Sequence, residues 1–276
     1  MTVADALRAG ADRLGATSDT ARLDAEVLMA HALGVSRSDM LIHKMQEVSP
    51  AAFETLIDRR AGREPVAYIV GEADFFGRTF AVESGVLIPR GDSETIIEAA
   101  LSACPAPKRV LDLGVGSGAL LLSVMAERPG SEGVGIDASP AAIDVARQNA
   151  TSLQIIGNCE LRLLDWRQSG WSEDLGTFDL ILCNPPYVEA GAVLEPDVCD
   201  FEPASALFAG PEGLDDYQSI IPQLRGLLTP GGVAVLEIGA LQAAAVTEIA
   251  RKSGFVVELK HDLAGRPRVL VLSLGK

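Results

Sequence analysis

The chain has 276 residues, of which 48% are hydrophobic and 22% are charged, and its formal net charge is −15. This balance is ordinary for a globular protein with a full core, and it excludes a chain that is mainly disordered, collagen-like or coiled-coil. Acidic residues number 38 against 23 basic ones, and no basic stripe stands out. Because nucleic-acid binding relies on clustered Lys and Arg, no direct nucleic-acid partner is expected.

The first 62 residues predict a small bundle of three or four helices. Apolar residues recur at helical spacing in two segments, and Gly34 is the expected end of the second. Ser49 and Pro50 form the pattern of an N-cap followed by proline in the first helical turn, and Gly62 is expected to end that helix. Residues 1–62 are therefore expected to be a separate helical domain.

Residues 63–89 are interpreted as a β-hairpin linker. Glycine and proline separate short β-like runs there, such as Tyr68–Val70 and Thr79–Val82. A helix is expected from about Asp92 to Ala103. The rest of the chain, residues 90–276, is expected to be the second domain.

From Arg109 onward, seven apolar runs rich in Val, Ile and Leu alternate with helical segments. This order is typical of βαβ units and predicts an α/β fold with a mostly parallel sheet covered on both faces. The expected helices are residues 119–127, 141–151, 215–228 and 241–252. Only residues 261–267 separate the last two runs, which is too few for a crossover helix, so the last strand is expected to be antiparallel.

A glycine-rich turn, Gly114-Val115-Gly116-Ser117-Gly118, follows the first of these runs. Alternating glycines allow a tight turn and a close approach of the backbone to a ligand at the end of a parallel strand. The spacing differs from the G-x-G-x-x-G pattern of dinucleotide-binding proteins. Asp137 ends the next run, where a carboxylate can accept hydrogen bonds from both hydroxyls of a ribose. The alternative is that the glycines serve only the strand–helix connection.

The most specific motif is Asn184-Pro185-Pro186-Tyr187, which follows the fourth run. The two prolines fix φ and remove two backbone donors, so the turn is stiff and its carbonyl oxygens are free to point outward. The Asn184 side-chain oxygen and the Pro185 carbonyl can each accept one hydrogen of an NH₂ group, and Tyr187 can cover a flat π-system. The motif therefore suits holding the NH₂ group of a planar, conjugated system in a fixed direction.

The glycine motif resembles that of the class I methyltransferases, which use S-adenosyl-L-methionine and release S-adenosyl-L-homocysteine. The resemblance implies a Rossmann-like domain with a seven-stranded, mostly parallel sheet and an antiparallel last strand. It also implies that residues 114–118 enclose the methionine end of the cofactor and that Asp137 holds the ribose. Asp165 and Trp166 would flank the adenine, although Trp166 is equally well explained as a core or lid residue.

The Asn-Pro-Pro-Tyr motif occurs in methyltransferases of DNA adenine and in those of glutamine amides, and other segments separate the two groups. The chain is similar to the peptide chain release factor glutamine methyltransferases in five segments, namely residues 63–69, 75–77, 87–94, 201–203 and 236–239. It departs from that family at Gly91 and Val115, where the family usually has proline and threonine.

The resemblance implies methylation of the side-chain amide nitrogen (N5) of the glutamine in the Gly-Gly-Gln motif of class 1 release factors. The role of residues 1–62 as the substrate-recognition domain is implied only by this resemblance. A ribosomal-protein glutamine N5-methyltransferase, a nucleic-acid adenine N6-methyltransferase and a non-catalytic cofactor-binding module remain as alternatives. The expected catalytic residues are Asn184, Pro185, Pro186 and Tyr187, and the expected cofactor-binding residues are Gly114, Val115, Gly116, Ser117, Gly118, Asp137, Trp166 and Asn184.

Two further expectations concern the surroundings of the protein and one buried acid. The four cysteines have neither zinc nor disulfide spacing, and the first residues show no signal peptide. A cytoplasmic monomer without a metal or a membrane partner is therefore expected. Glu237 ends an apolar run, which is an uncommon place for a carboxylate, and it is expected either near the cofactor or hydrogen-bonded to the linker.

Overall fold

The structure is a computed structural model that describes residues 1–275, and it contains two compact units. Unit 1 comprises residues 1–72 and 194–202, and unit 2 comprises residues 73–193 and those from 203 onward. The amino-terminal unit thus includes a short segment that follows the Asn-Pro-Pro-Tyr motif in sequence.

Unit 1 is a helical bundle, as predicted. Its helices are α1 (Val3–Leu14), α2 (Ala21–Leu33), α3 (Arg37–Asp39), α4 (Ala52–Ala61), α5 (Val66–Val70) and, from the second segment, α9 (Pro196–Phe201), with a π-helical turn at Met40–Lys44. Leu7, Leu28, Phe53 and Ile57 form the centre of its core. Gly34 ends α2 in the left-handed conformation, with φ +65°, which confirms its predicted role.

Two local predictions for this unit are wrong. Helix α4 begins at Ala52 and has no side-chain N-cap, so Ser49 does not cap it; the Ser49 backbone N–H donates to the Met1 carbonyl instead (3.2 Å). Residues Tyr68–Val70 are not a β-like run but helix α5. Proline precedes that helix, and the Ile69 N–H closes its first turn on the carbonyl of Pro65 (3.1 Å).

Unit 2 is built on a seven-stranded sheet, and a hairpin of β1 (Glu72–Phe75) and β2 (Arg78–Ala81) precedes it. The sheet strands are β3 (Arg109–Leu113), β4 (Glu132–Asp137), β5 (Cys159–Leu163), β6 (Phe178–Cys183), β7 (Leu228–Glu237), β8 (Phe255–His261) and β9 (Pro267–Leu274). Their order is β5-β4-β3-β6-β7-β9-β8, and β9 is antiparallel to both of its neighbours. All seven predicted strands and the antiparallel last strand are confirmed.

Helices cover both faces of this sheet. They are α6 (Glu94–Ala103), α7 (Ala119–Glu127), α8 (Pro140–Ser152), α10 (Asp215–Leu227) and α11 (Ala243–Lys252), and each lies within two residues of its predicted bounds. Two buried apolar clusters fill the two faces, one with α6, α7 and α8 and the other with α10 and α11. Strand order reverses between β3 and β6, so the carboxyl ends of these strands form the switch point where α/β sheets bind ligands.

None of the helices within residues 1–275 combines the length and the apolar character that crossing a membrane requires.

Candidate functional site

A cavity of about 330 Å³ lies within unit 2 and is lined by residues that follow β3, β4, β5 and β6. This volume lies within the range of roughly 300–1,000 Å³ that is usual for small-molecule sites. The lining residues from the predicted set are Gly114, Val115, Gly116, Ser117, Asp137, Trp166, Asn184 and Pro186. The structure therefore brings the glycine-rich turn and the Asn-Pro-Pro-Tyr motif to one cavity, although 65 residues or more separate them in sequence.

The glycine-rich turn wraps back on the end of β4. Gly114 and Gly116 have φ values of +79° and +53°, which residues with a side chain rarely adopt. The backbone N–H groups of Gly114 and Val115 both donate to the Ile136 carbonyl, at 3.0 and 2.8 Å. The buried amide of Asn149 holds the far side of the turn by donating to the Ser117 carbonyl (2.8 Å). The turn is therefore fixed by hydrogen bonds from two neighbouring elements.

Val115 and Gly118 both act in packing. A Cβ atom at Gly135 would lie 2.7 Å from Val115 Cγ2, so the valine side chain occupies the space that this glycine leaves on β4. A Cβ atom at Gly118 would lie 2.8 Å from a methyl group of Leu122, on the first turn of α7. Gly118 does not line the cavity, and its position instead allows close packing of the turn on α7.

The Asp137 carboxylate stands at the end of β4 with both oxygens held. Its Oδ2 accepts the Gly116 N–H (3.0 Å), and its Oδ1 accepts the Ser139 N–H (2.9 Å). A carboxylate has about four acceptor positions, so each oxygen keeps capacity for a further donor from the cavity. Burial raises the pKa of Asp137, although the hydrogen bonds from Ser139 and Gly116 act in the opposite direction.

Trp166 is a core residue that also lines the cavity. It is 9% exposed and belongs to the core cluster beneath α10, and it also lines the cavity. Its indole N–H donates to the carboxylate of Asp216 (2.9 Å), which fixes the ring. The outer edge of the ring lies against Gly114, where a Cβ atom would be 3.3 Å from it. Asp165 also lines the cavity, next to Trp166.

The Asn184 amide is held by a neighbour far away in sequence. Its Nδ2 donates to the hydroxyl oxygen of Ser93 (3.3 Å), in the turn before α6. The Ser93 hydroxyl donates in turn to Oε2 of Glu237 (2.5 Å), and the Tyr187 hydroxyl donates to Oε1 of the same carboxylate (3.0 Å). Pro185 and Tyr187 do not line the cavity, and the hydroxyl of Tyr187 is directed to Glu237 instead.

Glu237 is the buried centre of this network. It is 1% exposed at the end of β7, and Arg268 Nη1 lies 4.0 Å from Oε1. Burial raises the pKa of Glu237 and that of Tyr187. The side-chain hydrogen bonds of Glu237 go to Ser93, which lies just after the expected linker (residues 63–89), and to Tyr187.

Several lining residues were not predicted as site residues. Among them are Ser93, residues 85–90, Arg167, Pro203, Ser205 and Ala206. Their signal in the sequence is that residues 87–90, Ser93 and Pro203 fall within segments that look like those of the family named above.

Comparisons with known proteins agree with the geometry. Residues 5–71 match a family model described as PrmC N-terminal domain, and residues 106–259 match one described as methyltransferase domain. A release factor glutamine methyltransferase of Cereibacter sphaeroides is 42% identical over 277 residues, which is 98% of each chain. One of Caulobacter vibrioides is 39% identical over 280 residues, which is 98% of this chain and 96% of that relative.

Among solved structures, a methyltransferase from Pyrococcus furiosus matches with a TM-score of 0.54 and 17% identity. The match covers 79% of this chain and 98% of that one. At this identity the likeness shows the fold alone.

Proposed function

The chain belongs to the release factor glutamine methyltransferase family, and we propose that it methylates the side-chain amide nitrogen of the Gly-Gly-Gln glutamine in class 1 peptide chain release factors. The methyl donor in this proposal is S-adenosyl-L-methionine. One observation carries the proposal most directly. Asn184 and Pro186 line the same cavity as the glycine-rich turn and Asp137, so an amide acceptor group and a nucleoside-type site share one space.

The residues present fit S-adenosyl-L-methionine, which when bound supplies an electrophilic methyl group on sulfur. Asp137 has acceptor capacity left on both oxygens for the two ribose hydroxyls. The backbone at Gly114 and Gly116 offers a side-chain-free wall to the cavity. Trp166 offers an apolar ring edge there, fixed by its hydrogen bond to Asp216.

The chemical problem is that an amide nitrogen is a poor nucleophile, because its lone pair is delocalised into the carbonyl group. Acceptors on both N–H bonds raise the electron density on nitrogen and fix the direction of its lone pair. Asn184 Oδ1 and the Pro185 carbonyl are the acceptors in this proposal, and the two prolines keep them rigid. With the cofactor bound, the N–CH₃ bond would form as the S–CH₃ bond breaks, and the nitrogen would then release one proton to water, so no strong base is needed beforehand.

Two rival substrates share the NH₂ chemistry. Adenine in a nucleic acid presents the same planar group, but a net charge of −15 opposes binding to a phosphate backbone. A glutamine in a ribosomal protein differs only in its surroundings. The acidic surface is compatible with a protein substrate that carries basic patches.

The test measures transfer of a tritiated methyl group by the purified full chain to three substrates: a release factor, unmethylated DNA and unmethylated ribosomal protein. We expect transfer to the release factor. Transfer only to DNA, or only to ribosomal protein, would contradict the proposed substrate.

The same assay tests the role of Asn184. N184A should lower kcat by about 10²–10³-fold, the usual effect of removing one polar contact to the transition state, and leave cofactor affinity within about threefold. N158A, in an exposed 3₁₀ turn, is the matched control and should behave as the unmodified chain. Equal single-turnover rates of N184A and the unmodified chain would refute the assigned role.

A further inference from the structure

We infer that Glu237 and Ser93 are positioning residues, which set the orientation of the Asn184 amide so that its oxygen, and not its NH₂ group, faces the cavity. The inference rests on the proposed function and assigns to the linker-adjacent turn a task in that reaction. It depends on the direction of three hydrogen bonds within unit 2.

Glu237 determines which group donates in each of these hydrogen bonds. An ionised carboxylate has no proton to donate, so its two oxygens only accept. The Ser93 hydroxyl oxygen lies 2.5 Å from Oε2 and must donate its single proton to it. Such a short contact is typical of a charge-assisted O–H···O⁻ hydrogen bond, which is stronger than a neutral one.

The orientation of Asn184 follows from the remaining hydrogen-bonding capacity of the Ser93 hydroxyl. With its proton on Glu237, Ser93 presents only lone pairs to its other neighbour. Asn184 lies 3.3 Å away and therefore turns its NH₂ end to Ser93. The other end of the amide, Oδ1, is the one left for the cavity that Asn184 lines. An asparagine whose two ends have similar shapes thus acquires a defined orientation.

Tyr187 makes the arrangement depend on the charge of residue 237. Its hydroxyl donates to Oε1 of Glu237 (3.0 Å), so a glutamine at position 237 would keep its oxygen on Tyr187. Its NH₂ group would then donate to Ser93. The Ser93 proton would be free to donate to Asn184, which would turn its NH₂ group into the cavity.

The opposite orientation of that glutamine would leave the Tyr187 proton without its acceptor. Leaving a buried donor unpaired is energetically costly, so the orientation that reverses Asn184 is favoured. An NH₂ group in the cavity would then face the NH₂ group of the substrate, donor against donor. The substitution is nearly isosteric, and its effect reports the hydrogen-bond direction rather than the packing.

The experiment compares E237Q, S93A and S93T with the unmodified full chain, with S-adenosyl-L-methionine and a release factor as substrates. E237Q and S93A should each lower kcat at least about tenfold, with the KM for S-adenosyl-L-methionine within about twofold, because Asp137 and the glycine-rich turn are unchanged. S93T keeps the hydroxyl and should recover most of the rate lost in S93A. E248Q, on the exposed face of α11, is the matched control for loss of a glutamate charge.

A second readout is independent of activity. The side-chain NH₂ resonances of Asn184, assigned by their absence in N184A, should shift between the unmodified chain and E237Q, because the NH₂ group changes its hydrogen-bond partner. Thermal unfolding identifies any variant that has lost its fold.

The outcomes separate the two proposals. If the unmodified chain transfers no methyl group to the release factor, the proposed function fails, and the Asn184 resonances still decide the positioning role. If it does transfer methyl groups while E237Q keeps kcat within twofold and the Asn184 resonances do not move, the positioning role fails and the proposed function stands.

Discussion

Replacing Asp137 with Asn tests the proposal that the end of β4 holds the cofactor. The carboxylate accepts two backbone N–H groups, from Gly116 at 3.0 Å and from Ser139 at 2.9 Å. An asparagine can accept only one of them, and its NH₂ group must face the other donor. It also offers a neutral group, or a second donor, to the ribose hydroxyls. D137N should therefore bind S-adenosyl-L-methionine more weakly than the unmodified chain.

The size of the effect follows from these contacts. A hydrogen bond to a charged group is worth about 1.5–3 kcal/mol, which corresponds to roughly a 10–150-fold rise in Kd. Isothermal titration of S-adenosyl-L-homocysteine into both proteins measures the change. D144N is the matched control, because Asp144 lies on the exposed side of α8, where it pairs with Arg147. A folded D137N that binds within twofold of the unmodified chain would refute this account of Asp137.

Three further predictions concern stability. G135A should destabilise the fold by about 1–3 kcal/mol in urea unfolding, since its Cβ would lie 2.7 Å from Val115 and 2.9 Å from Leu161; an unchanged midpoint would contradict the packing described. G226A, in α10 with open space around it, should instead stabilise by about 0.5–1 kcal/mol, and a loss would contradict that description. Because burial raises the pKa of Glu237 in the folded state, the unmodified chain should lose stability relative to E237Q as pH rises from about 4.5 through that raised pKa; a constant difference between pH 4 and 8 would show that the carboxyl is not perturbed.

This pH dependence has a functional counterpart. The groups that face the Glu237 carboxyl are Ser93, Tyr187 and Arg268, with Asp92 nearby, and together they do not offset its burial. The charged form therefore costs stability, and a neutral residue there is expected to be tolerated by the fold. What the charge contributes, in our inference, is the orientation of Asn184, which a neutral amide does not specify.

Much of the structure of unit 2 can be predicted from the sequence for a simple reason. Its inner strands, β4, β3, β6, β7 and β9, are mostly buried and read as continuous apolar runs, whereas the edge strands β5 and β8 are mostly half-buried or exposed. The helices lie between the strands with few ambiguous boundaries. Helix α7 has its predicted bounds because a glycine with φ +85° precedes it and Arg128 follows it. One wrong prediction in unit 1 concerns the apolar run between Pro65 and Gly71. This run resembles a strand in sequence, but it forms a helix.

Some residues of the candidate site can likewise be predicted from the sequence, and others cannot. Asn184 and Asp137 lie in motifs whose residue types already indicate acceptor chemistry, so sequence reasoning could select them. Ser93 and Glu237 have no such signal, because 144 residues separate them and only the fold makes them neighbours. Sequence reasoning could note that Glu237 is an unusual end to an apolar strand, but it had no means of finding the partner.

The central claim is that the Asn-Pro-Pro corner presents a glutamine side chain for methylation. The most direct measurement is a fragment mass spectrum of a release factor after incubation with the purified chain and S-adenosyl-L-methionine. We predict a gain of about 14 mass units, one CH₂, on the glutamine of the Gly-Gly-Gln motif, and none when N184A replaces the unmodified chain. Methylation of a different residue type, or the same yield from N184A, would contradict the account.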